Sequence, residues 1–338
     1  LIEQNMINVG LAIALSLVLG WLSYKYIENA RTLIIRLKPR YGYILLLGSI
    51  GLLYPVYGYI AQDGVKSRAS QFYLTHSEKI EMPKTSNGWC FYNVKDDPSL
   101  AVGPKGLQCH IASKQANAKS ALLFGDSFAG HNIPFWHNLG QKLNLNINAI
   151  TTNWCYPSVN KDFTGDKNST AYQQCLINRN YLKTHLNQYD VFIFAGRWSD
   201  VVQQHQENNF EELLQLVEQQ HKKVIVMAEP YAFDNNISLL YKRAMWLNQS
   251  FNLDRYLNNP KAVEQKAASK IITDMTQRHS NILLLTQTDL FKPDQMASKD
   301  SPYSLDGRHL SIFGSLASEQ YFIKQDKYKV LQNFIETP

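Results

Sequence analysis

The chain has 338 residues, of which 45% are hydrophobic and 18% are charged, and its formal charge is +6. This length corresponds to about two domains, and the charged fraction lies below the roughly 25% of an average soluble protein. The composition therefore argues against a disordered chain, and the small positive charge argues against a dedicated nucleic-acid-binding protein.

Apolar residues are concentrated in the first sixty positions. Residues 6–24 carry no charged side chain, and neither do residues 41–62. Each stretch is about as long as the roughly 20 residues that cross a bilayer, and aromatic residues cluster near the ends, where they favour the interface. We therefore predict two transmembrane helices. The alternative is a pair of buried helices in a soluble domain, but nothing nearby in the sequence would cover helices that are apolar all round.

The segment that joins these two helices is basic. Its charged residues are Lys25, Glu28, Arg31, Arg36, Lys38 and Arg40. By the positive-inside rule this short loop lies in the cytoplasm, so that everything after residue 62 lies on the far side of the membrane. A secretory signal peptide explains the first hydrophobic stretch less well, because no positively charged leader precedes this stretch and a second hydrophobic span follows it. Leu1 runs almost directly into the first helix, which indicates that the sequence starts inside a longer protein.

Four cysteines lie in the part that this topology places outside the cytoplasm: Cys90, Cys109, Cys155 and Cys175. In an oxidising compartment such as the periplasm they are expected to form two disulfides. Three connectivities are possible. We favour Cys90 with Cys109 and Cys155 with Cys175, because each pair closes a short loop within one segment. No CxxC or HxxxH spacing occurs, so we predict no metal site.

Short apolar runs alternate with helix-like segments from about residue 120 onwards. Strands are predicted at 121–124, 145–152, 190–196, 223–228 and 281–286, and helices at 131–143, 171–188, 210–221, 238–248, 260–279 and 311–325. This alternation predicts a parallel sheet covered by helices on both faces, an α/β fold. We therefore divide the chain into two membrane helices (1–62), a polar linker and extension (63–119) and an α/β domain (120–338).

Two short motifs, one near each end of this predicted domain, carry candidate catalytic side chains. Gly125-Asp126-Ser127 follows the first strand and precedes a helix, and parallel sheets place active sites at the carboxyl ends of their strands. Asp306 and His309 are three positions apart just before the last helix, so one turn can aim both side chains at one cleft. A serine nucleophile needs a base, and the base needs an orienting acid. The alternatives are that Ser127 caps a helix, that His309 is a surface loop residue and that Asp306 caps its turn.

A family resemblance rests on these two motifs. The run LLFGDSFAGH (122–131) resembles the first block of the SGNH/GDSL hydrolases, and SLDGRHLS (304–311) resembles their closing Asp-x-x-His block. The resemblance covers about residues 120–325 and implies an SGNH-like three-layer sandwich. It implies Ser127 as the nucleophile, His309 as general base and acid, and Asp306 as the residue that orients His309. Asp126 is interpreted as a structural turn residue.

The middle of the sequence departs from the family pattern. SGNH enzymes typically draw oxyanion donors from a glycine after the second strand and an asparagine after the third. Here the third strand runs into Ala195-Gly196-Arg197-Trp198, and Arg197 is a candidate to donate hydrogen bonds in place of the asparagine. The alternative is an arginine held in a salt bridge at the sheet edge. Asn153 and Gly165 are candidates for the second donor.

Four further residues are weaker candidates. His131 lies four residues after Ser127 and is able to face the pocket mouth, although a position on the helix surface is favoured. Trp198, Trp154 and Tyr156 follow strand ends, where aromatic rings can stack on a sugar, and core packing is an equal or better interpretation of each.

The first membrane segment carries a second resemblance. Residues 21–31 (WLSYKYIENAR) resemble the end of the last core helix of membrane-bound acyltransferase family 3 proteins, with Ala30 in place of the usual proline. Some bacterial members carry one further helix and a periplasmic SGNH domain, and they O-acetylate lipopolysaccharide O-antigen or related surface glycans. The resemblance implies an inner-membrane protein with its C-terminal domain in the periplasm. The implied partners are the bilayer, an upstream acyltransferase membrane domain and a polysaccharide acceptor.

The function expected from both resemblances is O-acyl transfer to a surface glycan. This portion of the protein is expected to bind no cofactor, and acetyl-CoA is the expected ultimate acyl donor through the membrane domain. Ser127 carries the acyl group, and a sugar hydroxyl deprotonated by His309 accepts it. The first alternative is a membrane-anchored periplasmic esterase that deacetylates glycans. The second is a non-catalytic glycan-binding domain, against which the intact set of Ser127, Asp306 and His309 argues.

Overall fold

The computed structural model describes residues 6–28, 39–63 and 68–337. The chain divides into two compact units, Leu1–Ser67 and Arg68–Pro338. Three basic residues of the predicted cytoplasmic loop, Arg31, Arg36 and Lys38, lie outside the described residues.

The first unit contains two long apolar helices. Helix α1 spans Met6–Leu22 and continues as a π-helical turn over Ser23–Glu28, and helix α2 spans Pro39–Asp63. The windows Val9–Tyr26 and Arg40–Gly58 within these helices are long and apolar enough to cross a membrane, and none of their residues whose burial the structure describes is buried. These helices correspond to the two predicted at 6–24 and 41–62.

The second unit is an α/β domain built on a six-stranded sheet of order β1-β3-β2-β4-β5-β6. Its strands are β1 (His110–Ala112), β2 (Lys119–Gly125), β3 (Leu145–Thr151), β4 (Val191–Ala195), β5 (Lys223–Met227) and β6 (Ile282–Leu285). Strands β2 to β6 pair in parallel, and β1 pairs with β3 in the antiparallel direction. The parallel sheet predicted from five apolar runs is confirmed, and each run lies on one of these strands.

Helices cover both faces of the sheet. Those of this unit are α3 (Gln71–His76), α4 (Ser127–His131), α5 (Ile133–Lys142), α6 (Thr170–Thr184), α7 (Trp198–Gln203), α8 (Glu207–Gln219), α9 (Ile237–Trp246), α10 (Asp254–Leu257), α11 (Pro260–Thr276), α12 (Gln287–Leu290), α13 (Ile312–Phe322) and α14 (Asp326–Glu336). Along β2, Ala121 and Leu123 face one core while Leu122 and Phe124 face the other. Successive strand residues point to opposite faces, so a strand buried on both faces is apolar at every position. The result is the three-layer sandwich that the sequence predicts.

The segment before β2 packs on this sandwich. Phe91 is buried in the core on one face of the sheet, and Tyr92 and Val94 are buried in the core on the other. The extension placed at 63–119 therefore contributes to both cores, and the predicted boundary at 119/120 falls inside the compact unit.

Two disulfides join the loops of this unit. Cys90 pairs with Cys109 and Cys155 pairs with Cys175, with Cα–Cα distances of 6.0 and 5.3 Å. This is the connectivity favoured from the sequence. The first links the extension to the segment before β1, and the second links the loop after β3 to α6.

Several short elements differ from the prediction. The helix predicted at 131–143 is two helices, α4 and α5, because Pro134 lies in the first turn of α5, and its missing N–H and its ring prevent α4 from continuing through it. The edge strand β1, the helices α7 and α14, and a hairpin of β7 (Met296–Ser298) with β8 (Ser301–Pro302) were not predicted.

We predict that Gly125→Ala severely destabilises the domain. Gly125 ends β2 opposite Ala195 of β4, and a Cβ at this position would lie 1.8 Å from the Ala195 carbonyl oxygen. The two central strands would have to separate, at an expected cost of about 3 kcal/mol or more, measured as the free energy of unfolding in urea.

Gly103→Ala is the matched control. Gly103 has nearly the same φ angle, +156° against +158°, but nothing lies within 4 Å of its added Cβ. The two variants therefore share the backbone cost and differ in the steric clash. Equal losses of stability in both would contradict this explanation.

Candidate active site

The turn that carries Ser127 is held by the buried carboxylate of Asp126. One carboxylate oxygen accepts a hydrogen bond from the backbone N–H of Phe128, and the other accepts one from the backbone N–H of Arg197, both at 2.8 Å. Asp126 thus caps α4 and ties the end of β2 to the loop after β4. Burial raises the pKa of Asp126 to about 6. Both carboxylate oxygens are engaged by backbone, which fits the structural role predicted for this residue.

Ser127, His309 and Asp306 lie together in one chain of hydrogen bonds. The Ser127 Oγ is 2.8 Å from His309 Nε2, and His309 Nδ1 is 2.8 Å from a carboxylate oxygen of Asp306. Although 182 positions separate the serine from the histidine, the fold places both at the carboxyl edge of the sheet. The arrangement has the geometry of a serine–histidine–aspartate triad.

Asp306 both caps its own turn and contacts the histidine. Its second carboxylate oxygen accepts backbone N–H groups from Arg308 and His309 at 2.9 and 2.8 Å. Partial burial opposes ionisation of Asp306, but its hydrogen bonds from His309 outweigh this effect and hold its pKa below the ordinary value. The ionised carboxylate holds the proton of the imidazole on Nδ1, which leaves Nε2 free to accept the proton of Ser127.

The loop that presents His309 is shaped by Gly307. This glycine has a φ of +98°, and a Cβ here would lie 2.4 Å from the carbonyl oxygen of Asn235. Its own carbonyl accepts the backbone N–H of Phe233 at 2.8 Å, and its N–H donates to the Ser304 hydroxyl at 2.9 Å. Only glycine fits this close approach without strain.

The sequence favours a helix-surface position for His131, but the structure places this residue in the interior. It is fully buried, with its ring centroid 5.9 Å from that of His309. Its Nδ1 accepts the backbone N–H of Leu310 at 3.3 Å. The loop that carries His309 and Leu310 covers the side of α4 on which His131 lies, which explains its burial. Burial lowers the pKa of His131 well below its ordinary value.

The candidate oxyanion donors lie in the loops that follow β3 and β4. The guanidinium of Arg197 forms a 2.7 Å salt bridge with Asp200, the alternative that the sequence left open. Asn153 lies in the loop after β3, and the N–H of its neighbour Thr152 donates to the Gly125 carbonyl. The buried side-chain oxygen of Asn153 has no partner among the described residues. Gly165 packs against the ring of Trp154, which a Cβ would approach to 2.5 Å.

The aromatic residues after the strand ends are mostly core residues. Trp198 is fully buried, packs on Phe210 with 4.5 Å between ring centroids and donates its indole N–H to the Met227 carbonyl. This packing fits the core interpretation of Trp198, which the sequence favours at least equally with a role in substrate binding. Tyr156 is fully buried as well. Trp154 is half-buried, with the Lys95 ammonium 4.2 Å from its ring centroid.

A cavity of about 560 Å³ lies beside the hydrogen-bonded triad and was not predicted. Phe128 and Arg308, the chain neighbours of Ser127 and His309, line it together with residues of α7 and α11. It also contains Glu229, a buried carboxylate that accepts the backbone N–H of Ser199 at 2.7 Å. Glu229 lies two residues after β5, at the edge where parallel sheets bind ligands. This position after a predicted strand is the sequence signal that could have identified Glu229 as a site residue.

Among the residues that the structure describes, no group of three or more histidine, cysteine, aspartate or glutamate side chains is placed to hold a metal ion.

Comparison with known proteins gives one family and several structures. The family model of the SGNH domain that is fused to AT3 domains matches residues 90–324. The periplasmic domain of a lipopolysaccharide acetyltransferase from Salmonella ser. Paratyphi A aligns with a TM-score of 0.51 at 12% sequence identity, covering 81% of this chain and 99% of that chain. A proposed acylhydrolase from Bacteroides fragilis aligns with a TM-score of 0.38 at 11% identity, covering 66% of this chain and 91% of that chain.

At 12% identity the Salmonella structure shows a shared fold. No curated protein sequence matches the chain at a significant level.

We predict that Glu229 makes the domain less stable as pH rises. Burial raises its pKa from 4.5 to about 7, so between these values the folded state keeps a proton that the unfolded chain has lost, and stability falls with increasing pH. Glu229→Gln has no such proton to lose. Between pH 5 and pH 8 the wild type should therefore lose about 2 kcal/mol more than the variant, measured by urea unfolding followed by tryptophan fluorescence.

Glu264→Gln, at an exposed position on α11 that lines the same cavity, is the control and should follow the wild type. Parallel losses of stability in the wild type and Glu229→Gln would show that Glu229 titrates as an ordinary carboxyl group.

Proposed function

The chain belongs to the family of SGNH domains that are fused to AT3 domains, and from this premise we propose that it is an O-acyltransferase acting on a surface glycan through an acyl-Ser127 intermediate. The observation that supports this proposal most strongly is the continuous chain of hydrogen bonds from Ser127 through His309 to Asp306. These three residues are the proposed catalytic group.

The first half of the reaction acylates the serine. His309 Nε2 takes the hydroxyl proton while the Ser127 Oγ attacks the acyl carbon, and negative charge develops on the acyl oxygen. The leaving group departs with the proton that His309 returns. Asp306 stabilises the imidazolium that forms between these two transfers, because its carboxylate is 2.8 Å from Nδ1.

The second half transfers the acyl group to the glycan. A sugar hydroxyl gives its proton to His309 Nε2, and its oxygen attacks the acyl carbon on Ser127. The ester bond to Ser127 breaks, and His309 returns the proton to the serine oxygen. Hydrolysis follows the same steps with water in place of the sugar, so transfer depends on an acceptor that occupies the site ahead of water.

The oxyanion needs hydrogen-bond donors next to Ser127. We propose the backbone N–H of Ser127, at the start of α4, together with the guanidinium of Arg197 and the side chain of Asn153. Asp126 supports this set, because it fixes the backbone of Arg197 beside the turn of Ser127. Asp200 would orient the guanidinium through the 2.7 Å salt bridge. Gly165, which packs on Trp154, is the remaining candidate.

The cellular setting of this chemistry is also part of the proposal. Helices α1 and α2 would anchor the protein in a bacterial inner membrane, and the disulfide-bonded domain would lie in the periplasm, where disulfides persist. The acyl group would be acetyl, drawn ultimately from cytoplasmic acetyl-CoA and delivered by an upstream AT3 membrane domain. The Salmonella protein with this fold is a lipopolysaccharide acetyltransferase, which supports a lipopolysaccharide or related glycan as the acceptor.

A second candidate is a periplasmic esterase that removes acetyl groups from glycans. The same triad performs hydrolysis, and Ser127 is partly exposed, so water reaches it. Acyl-enzyme formation is common to both functions, whereas the fate of the acyl group separates them.

We predict that Ser127 is the acylated residue. With p-nitrophenyl acetate as a surrogate donor and the full chain in detergent, Ser127→Ala should reduce nitrophenol release by a factor on the order of 10³ or more. Ser99→Ala, at an exposed serine, is the control and should retain full activity. A serine-directed phosphonate should label Ser127. Unchanged release in Ser127→Ala, or no labelling, would instead favour a non-catalytic glycan-binding domain.

We also predict that the acyl group goes to sugars rather than to water. Adding sugar acceptors to the same assay should produce O-acetylated sugar at the expense of free acetate, detected by mass spectrometry. An esterase would release acetate alone at every acceptor concentration, and this result would reject the transferase function while keeping the role of Ser127.

A further inference from the structure

Of the residues that line the cavity beside the triad, only Arg197 and its partner Asp200 enter the proposed acylation of Ser127. The cavity volume of about 560 Å³ falls within the range of roughly 300–1,000 Å³ that small-molecule sites occupy. One wall is formed by Phe128 and Arg308, and α7 and α11 supply the opposite side. Because consecutive Cα atoms are about 3.8 Å apart, these two residues place the cavity within one residue of both Ser127 and His309. A molecule bound there would lie next to the triad.

Six charged residues line the cavity: Arg197, Asp200, Glu229, Lys261, Glu264 and Arg308. Most of these charges have partners. Arg197 is paired with Asp200 at 2.7 Å, and Lys261 lies 3.8 Å from Asp234 outside the lining. Glu229 accepts both the backbone N–H and the hydroxyl of Ser199, at 2.7 and 3.1 Å. Glu264 is exposed at the rim, on α11.

Arg308 is the cation that this arrangement leaves unmatched. Its backbone N–H donates to Asp306. Arg308 as a whole is half-buried, and its guanidinium makes no ion pair or hydrogen bond with any residue that the structure describes. A guanidinium is charged at every physiological pH and presents paired donors in one plane, which match the two oxygens of a carboxylate or phosphate. A partly desolvated arginine without a counter-ion is unfavourable, and a bound anion removes that cost.

We propose that this cavity is the acceptor subsite and that Arg308 recognises an anionic substituent, a carboxylate or a phosphate, on the sugar that receives the acyl group. The identification of the cavity as an acceptor site rests on the proposed function. The binding of an anionic sugar beside the triad is independent of whether transfer or hydrolysis follows.

Lining residues other than Arg308 suit the rest of a sugar ring. Phe128 contributes apolar surface to the wall, and Gln203 and Glu264 offer groups that hydrogen-bond to hydroxyls. Gln265 is not available for this purpose, because its amide is bound to the backbone of Ala232 and Pro230. The cavity therefore combines one apolar wall with a few convergent polar groups, as ligand sites usually do.

The test is a binding titration on the full chain in detergent, followed by NMR of the sugar. The probes are methyl β-D-glucopyranoside, methyl β-D-glucuronide and glucose 1-phosphate, of which the first is neutral and the others are anionic. We expect at least one anionic probe to bind about ten- to a hundredfold more tightly than the neutral one, the range typical of a hydrogen bond to a charged group. The comparison of the two anionic probes distinguishes carboxylate from phosphate recognition.

Three variants assign the preference to Arg308. Arg308→Gln should bind the anionic and neutral probes equally, and Arg308→Lys, which keeps the charge but loses the paired donors, should retain part of the preference. Lys270→Gln removes one positive charge at an exposed position of α11 outside the cavity and should bind as the wild type does. Near-ultraviolet circular dichroism verifies that each variant is folded.

Equal binding of all three probes by the wild type would overturn the proposal, and so would a preference that survives in Arg308→Gln. Failure of the proposed function has a different signature. Either Ser127 would not be acetylated by p-nitrophenyl acetate, or its acetyl group would pass to water alone, while the binding preference and its loss in Arg308→Gln would persist.

Discussion

One buried carboxylate, that of Asp126, joins the parts from which the site is built. Its two oxygens accept backbone N–H groups from Phe128 and Arg197, so the turn that carries Ser127 and the loop after β4 cannot move independently. The close approach of Gly125 to Ala195 brings these strand ends together. Burial raises the pKa of Asp126 to about 6, and the two backbone hydrogen bonds oppose this effect. The same hydrogen bonds fix the backbone around the nucleophile.

The sequence predicted the fold and the hydrogen-bonded triad because their signals are local. Five apolar runs mark the strands, and the turns at Ser127 and at Asp306 and His309 each lie within a few residues of a helix. The burial of His131 could not be predicted, because the segment that covers it, at His309 and Leu310, is distant in the chain. The cavity next to Arg308 is likewise formed by elements that meet only in the folded domain.

Two carboxylates near the site show how environment separates their roles. Asp306 is partly buried, but hydrogen bonds from His309 keep its pKa below the ordinary value, so it is available to stabilise an imidazolium. Glu229 is buried more deeply, and its pKa rises to about 7, so it carries less charge at neutral pH. The charge of Arg308, by contrast, has no matching group in the described structure. This unmatched charge is the basis of the proposed preference of the cavity for anionic sugars.

The central claim is that Ser127 carries an acyl group destined for a surface glycan. The most direct measurement is NMR of surface polysaccharide from cells that carry the full-length protein, either wild type or Ser127→Ala. The account predicts O-acetyl signals in the first and their loss in the second at equal protein levels. O-acetyl signals that are unchanged in Ser127→Ala, or that increase, would contradict it.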